Sequence, residues 1–274
     1  MKANITILSP FGDDEVAEVP LVSPPIELAI VQLRFPRMAK LVDGEEVIAA
    51  FATAMADQYP IFDPPRQEVN LILGPEGINQ QQGSAKIWRL RSADENWSIS
   101  VSATFLALES RQYPGRTELR SRLSFAIERF LQFARPPFLE RVGVRYINRV
   151  HDEDIVRNLS KYVKPEVLGP LAAPIPSSVS VNHSINETRY VVDDQELQVR
   201  QGFVGPGLLH DPAIAPVKYP TWILDLDAFT HVKREFSAES VDRLVGELAA
   251  RDYRYFRWAV TAEFLERFGG EHVS

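Results

Sequence analysis

The chain has 274 residues, a formal net charge of −7 and no cysteine. Hydrophobic residues make up 45% and charged residues 24%, ordinary values for a chain able to bury a core. Those figures exclude a disordered chain and a disulfide scaffold, and the missing cysteines exclude thiol nucleophiles and cysteine zinc sites.

Residues 1–25 read as a polar leader. It turns acidic at once, carries no apolar h-region and ends in Pro24-Pro25, so a signal peptide is not expected. No apolar run approaches the roughly 20 residues of a bilayer span, and a cytoplasmic location is the expectation. Ile26 to Phe35 alternates Leu28, Ile30, Gln32 and Arg34 with Glu27, Ala29, Val31, Leu33 and Phe35, which predicts a strand with one well-buried face. Asp43 and Glu46 resemble a capping box, and Val47, Phe51, Ala54 and Met55 follow at helical spacing, predicting a helix over 44–58. Tyr59-Pro60 and Pro64-Pro65 end it.

Three strands are predicted next, over 67–73, 85–91 and 97–108, with 74–84 as a polar, mobile loop and 93–96 as a hairpin turn. The third alternates Trp97, Ile99, Val101, Ala103 and Phe105 with Ser98, Ser100, Ser102 and Thr104, so one wet face is expected. Leu119, Leu123, Ala126, Ile127, Phe130 and Leu131 mark a helix over 117–133, stopped by Pro136-Pro137.

The order then repeats. A strand is predicted over 141–150, a short helix over 152–163, strands near 178–185, 188–192, 197–204 and 221–229, and a long helix after Ser237. Phe138-Leu139-Glu140-Arg141 recurs as Phe264-Leu265-Glu266-Arg267, at matched distances behind Trp97 and Trp222. The expected fold is α+β: an antiparallel curved sheet with long helices on one face, built from two related β-α-β-β-β-α halves, 26–137 and 138–274, packed as one compact unit.

Several segments in this order carry a resemblance. They are Pro24-Pro25-Ile26-Glu27 opening a strand, the Trp97 strand, Arg145-Tyr146-Ile147-Asn148, Leu224-Asp225-Leu226-Asp227, and a terminal amphipathic helix with Phe256 and Thr261. Together they resemble a sporadically distributed family of uncharacterised bacterial proteins of about this length, over nearly the whole chain. The family brings no activity with it. Its patchy distribution resembles that of mobile or defence-associated genes, including toxin–antitoxin cassettes, which implies a genetically linked protein partner. Family members often carry a tryptophan after the tyrosine preceding the middle helix; here Tyr113 is followed by Pro114-Gly115-Arg116, which puts that helix start in doubt.

Candidate sites are few. Asp225 and Asp227 share one face of their strand, as do Arg145 and Arg149 on theirs; if the strands are neighbours, the arginines can pair with the aspartates, as a structural cluster or as the floor of a polar ligand site. Residues 109–149 hold nine Arg against four Glu inside an acidic chain. Arg116, Arg120 and Arg122 are the candidate anion-binding set there, against the plain reading of a solvated helix face. His151-Asp152-Glu153-Asp154 reads as an acidic helix N-terminus rather than a metal site. His183, His210 and His231 are isolated, and Gly202 to Gly207 lacks the lysine of a phosphate loop and reads as a turn. No metal or cofactor is expected. The leading expectation is a non-enzymatic protein-binding protein. The alternatives are a small-ligand binder or enzyme with a cavity between sheet and helices, and a nucleic-acid binder using arginines 111–149.

Overall fold

The computed structural model describes residues 9–12, 16–74, 77–176, 178–231 and 233–270, with side chains for all of these except 68–74 and 77–85. Nine strands hydrogen-bond in the order β2-β3-β4-β5-β1-β6-β9-β8-β7. They are β1 (Ile26–Arg34), β2 (Ile61–Gly74), β3 (Gly77–Arg91), β4 (Trp97–Val101), β5 (Phe105–Ser110), β6 (Arg141–Val150), β7 (His183–Val192), β8 (Gln195–Val204) and β9 (Thr221–Thr230). The helices are α1 (Glu45–Met55), α2 (Arg116–Phe133), α3 (Glu153–Arg157), α4 (Leu159–Tyr162), α5 (Pro165–Leu168), α6 (Ala238–Ala259) and α7 (Ala262–Arg267). This is an α+β fold on an antiparallel sheet. In each half the first strand lies beside the last, and the others follow outward: β1-β5-β4-β3-β2 and β6-β9-β8-β7.

Two compact units divide the chain. One comprises Met1–Ala29, Val144–Thr230 and Gly246–Ser274; the other comprises Ile30–Gly143 and His231–Val245.

The 30–143 unit is built on the alternation of β1. Val31, Leu33 and Phe35 are at most 1% exposed, and Phe35 meets Phe130 of α2 at 5.8 Å and Phe236 at 5.7 Å between ring centres. Phe51 of α1 stands edge-on to Phe130 at 5.8 Å. The α2 stripe Leu119, Leu123, Ala126, Ile127 and Phe130 is buried as its spacing requires. Each ring contributes about 2–3 kcal/mol by leaving water.

Several expected boundaries move. Residues 97–108 form not one strand but the hairpin β4-β5, because Ser102 Oγ accepts the Thr104 N–H at 3.2 Å and Ser102 N–H reaches Phe105 O at 2.9 Å. The first half therefore has four strands after its helix. Ser98 and Ser100 are buried rather than wet. Arg89 lies over them, donating to Ser98 Oγ at 2.7 Å and to Glu109 at 2.9 Å. Residues 77–84 belong to β3, paired with β2, while 75–76 of the expected loop lie outside the described residues. Pro64 and Pro65 sit inside β2, where the register shifts; β2 is an edge strand, the place where proline is tolerated. The helix α1 begins after Gly44, and Asp43 supplies no side-chain cap.

In the 144–230 unit, residues 183–192 form one strand, not two, and the helix expected over 152–163 breaks at Asn158. Asp152 accepts the Asp154 and Ile155 N–H groups and receives Arg267, so the acidic run is a capped helix start. Ser237 Oγ accepts the Ser240 N–H at 3.2 Å at the head of α6. The repeated tetrapeptide is not structurally equivalent: Phe264–Arg267 lies in α7, whereas Phe138–Glu140 leads into β6 without helix. Nor are the tryptophans equivalent, since Trp97 opens β4 while Trp222 lies in β9, the strand before α6.

Trp222 meets Phe264 of α7 edge-on at 6.4 Å, so the even positions of β9, with Leu224, Leu226 and Ala228, face the helices. On α6, Leu248, Ala249, Tyr255, Phe256 and Ala259 make the buried stripe. Asp252 stands in the middle of it, 1% exposed, and among the described residues no donor reaches either carboxyl oxygen in hydrogen-bond geometry. Burial, reinforced by the charges of Asp227 and Asp225, pushes this carboxyl well above its usual range, and the Ala228 N–H and Arg251 oppose the shift only in part. A raised folded-state value means that the folded chain holds a proton which the unfolded chain has released. Stability therefore falls as pH rises above the ordinary carboxylate value. Asp252→Asn is expected to be near-neutral at pH 5 and to unfold about 1–2 kcal/mol less readily than the native chain at pH 8. Urea unfolding at the two pH values measures the difference; an equal effect at both would show that the folded Asp252 carboxyl is already ionised at pH 5 and its affinity for the proton is not raised.

Candidate functional site

The face of the 144–230 sheet away from the helices carries the polar residues. Alternation puts Arg145, Ile147 and Arg149 of β6 and Ile223, Asp225 and Asp227 of β9 on it. Because β6 and β9 are neighbours, Arg145 grips Asp225 with both arms of its guanidinium, Nε to Oδ1 at 2.8 Å and Nη2 to Oδ2 at 2.7 Å. Register extends the row. Arg200 of β8 lies directly opposite Asp225, and Glu187 of β7 directly opposite Arg200. Arg200 donates to Asp225 at 3.1 Å and to Glu187 at 2.7 Å.

The sixteen residues 205–220, between β8 and β9, fold over this face as a strap. Four prolines (206, 212, 216 and 220) limit its freedom, and Gly207, at φ +75°, takes a turn that a side chain would strain. The strap is closed at its neck by the Gly207 N–H bonded to Val217 O at 2.7 Å. Four anchors hold it down. His210 Nε2 lies 3.2 Å from Asp225 Oδ2, Asp211 accepts from Arg145 at 2.7 Å, Ala215 O accepts from Arg149 at 2.9 Å, and Ile214 is buried to 1%. Asp211 also accepts the Ala213 N–H at 2.8 Å, which shapes the turn.

Asp225 has no exposed side-chain surface. Burial alone would raise its pKa. The hydrogen bonds from Arg145 and His210, with the charges of Arg145 and Arg200, overcome that and hold the carboxyl well below its usual range. Burial likewise opposes the charge on Arg145, but Asp225 and Asp211 raise its affinity for the proton, so it is charged at any ordinary pH. Asp211 is lowered in the same manner, its burial outweighed by Arg145 and the Ala213 N–H.

The candidate residues are thus distributed as follows. Arg145 and Asp225 meet directly, and Arg149 holds the strap and lies 3.6 Å from Glu27. Asp227 stands opposite Gln198, two positions along the same face. The three helix arginines are not brought to one patch: Arg120 donates to Asp242 at 2.6 Å, while Arg122 donates to Glu118 at 2.6 Å and lies over the Trp97 ring at 4.8 Å. Arg116 opens α2 and is itself engaged. A surface cavity of about 490 Å³ lies elsewhere, in the 30–143 unit, lined by Glu128, Leu131, Arg135, Pro136, Glu235 and Phe236. Sequence reading set His210 aside as isolated and missed Asp211, Arg200 and Glu187. The available signal was the sixteen-residue interval between two strands, since loops that long without secondary structure are uncommon and often functional. No protein-family model matches the chain, and no curated protein matches it.

Asp225→Asn leaves two buried or half-buried guanidiniums without their counter-charge and is expected to cost about 3 kcal/mol at pH 7. Asp225 is depressed in the fold, so its contribution is present above the unfolded carboxylate value of about 4 and is lost as pH falls toward the folded one. The variant should therefore unfold with a flatter pH dependence below pH 4 than the native chain. Asp211→Asn, which breaks one strap anchor, is expected to cost about 1 kcal/mol and to speed amide exchange selectively within 208–217.

Proposed function

We propose that the protein is a non-enzymatic binding protein and that the 205–220 strap is the element it presents to a protein partner. The observation that carries this reading is the split between the two sides of the strap. Its inner side chains, His210, Asp211 and Ile214, are consumed in fastening it, while Leu209 and Tyr219 point outward at 53% and 45% exposure. Tyr219 is braced by His151, 5.4 Å away between rings. Large apolar and aromatic side chains held rigid on an exposed loop make the anchors of protein interfaces, because little conformational freedom is lost on binding.

The polar row below the strap supports binding over catalysis. Every group in it is committed to another: Asp225 accepts from Arg145, Arg200 and His210, and Arg145 is shared with Asp211. A general base or nucleophile works from the opposite situation, poised beside a vacant position. The arginine-rich stretch gives less support to nucleic-acid binding, since Arg120, Arg122 and Arg145 each face an in-chain carboxylate. The resemblance to a patchily distributed bacterial family favours a partner encoded nearby, of the antitoxin or defence kind. The shared strand order of the two halves, first strand beside last, supports a duplicated scaffold beneath.

The test is co-purification with the product of the adjacent gene, followed by calorimetric titration. Leu209→Ser with Tyr219→Ser should weaken the complex about 100-fold or more while leaving the melting temperature unchanged. Undiminished affinity in that variant, or turnover of a metabolite by the native chain, would overturn the reading.

A further inference from the structure

The strand β7 lies at one edge of the sheet. Among the described residues it bonds only to β8, through ten consecutive register pairs from His183↔Val204 to Val192↔Gln195, and no other backbone hydrogen bond involves it. Edge strands that stay solitary are commonly kept short, bulged, covered, or marked with proline or charge, lysine above all. β7 is ten residues long, keeps an unbroken register and contains neither proline nor lysine. Its centre reads Ile185-Asn186-Glu187-Thr188-Arg189-Tyr190-Val191, with Val191 73% exposed and the side chains of Glu187 and Arg189 more than half exposed.

We propose that β7 pairs antiparallel with β7 of a second copy of this chain, about a two-fold axis at Thr188. The sequence selects that register. Residues facing each other across an antiparallel pair must share a sheet face, so the axis can fall only on a residue, not between two. An axis at Glu187 sets Glu187 against its own copy, and an axis at Arg189 does the same to Arg189; both oppose like charges. An axis at Thr188 sets Glu187 against Arg189 of the second copy, twice, and Ile185 against Val191 of the second copy, twice. Inside each chain Arg200 already reaches Glu187 at 2.7 Å, and Arg189 reaches Glu196 at 2.5 Å. The joined strands therefore carry a row of alternating sign: Arg200, Glu187, then Arg189 and Glu196 of the second copy. One strand pair buries less than the 1,200 Å² or so of a standard interface, so the association belongs to the weak, concentration-dependent class.

Sedimentation equilibrium of the full chain tests this. The native chain should show a monomer–dimer equilibrium. Arg189→Glu and Glu187→Arg should each weaken it about ten-fold or more, because two attractions become two repulsions. The double variant Glu187→Arg/Arg189→Glu should recover dimerisation. It leaves the in-chain clashes with Arg200 and Glu196 in place, so recovery reports the contact between copies. Melting temperature and near-ultraviolet dichroism verify folding. If a single variant does not fold, amide exchange of the native chain decides: protection within 184–192 should rise with protein concentration. A native chain that stays monomeric to about 1 mM, a dimer indifferent to the single charge reversals, or concentration-independent exchange of β7 overturns the proposal.

Discussion

The carboxylate of Asp225 is the constraint on which the 144–230 unit turns. A charge without solvent contact is tolerated only if the fold returns what water gave it, and the desolvation amounts to several kcal/mol per ion. Four contacts from three side chains do so, and two of those side chains, Arg145 and Arg200, come from the flanking strands. Only Arg200 stands directly opposite Asp225, Arg145 reaching it from the neighbouring β6; the third, His210, comes from the strap. The strap's position is therefore specified by the need to complete the shell of one anion, and the buried Ile214 adds about 2–3 kcal/mol of non-directional attraction. Directional contacts fix where the loop sits, and the apolar one keeps it down.

The 30–143 unit is organised instead around apolar contacts. Its interior is a cluster of rings from four separate stretches, Phe35, Phe51, Phe130 and Phe236, whose tilted and edge-on contacts constrain helix positions on β1. Some of its ion pairs lie on outer surfaces, as with Arg120 and Asp242, where they are worth little; Arg89–Glu109 and Arg91–Asp63 are part-buried. In the other unit, Asp252 works against the core that contains it, placing an unsolvated carboxyl where a leucine would suit the stripe. Such a conflict between local composition and packing is retained where a sequence serves something besides stability.

Much of this was legible in residue order. The long elements, β1, α2, β6 and α6, follow from period-two or period-3.6 patterns many residues long, and those patterns report burial directly. The pairing of Arg145 with Asp225 followed from alternation once their strands were neighbours. What could not be read has a physical cause in each case. Alternation of small residues continued through Ser102-Ala103-Thr104, so the turn between β4 and β5 left no trace in hydrophobicity. The buried state of Ser98 and Ser100 depends on Arg89 lying across them, a contact between strands. The strap's role depends on contacts between His210, Asp211 and residues far along the chain, and no local pattern encodes those. Recurrence of Phe-Leu-Glu-Arg misled because four residues do not determine conformation when one copy lies in a helix and the other does not.

The order of segments in the two units carries a consequence for how the chain is made. Phe236, needed by Phe35 and Phe130, lies in His231–Val245, which emerges from synthesis after the whole of Val144–Thr230. At roughly 5–20 residues per second, the apolar face of the first-made unit waits on the order of ten seconds for its last piece. During that time an aromatic surface stays open to other nascent chains or to a holding chaperone. No stop codon placed before residue 245 can release that unit whole. Products that end before residue 245 are thus incomplete in both units, and quality control has a clear feature by which to recognise them.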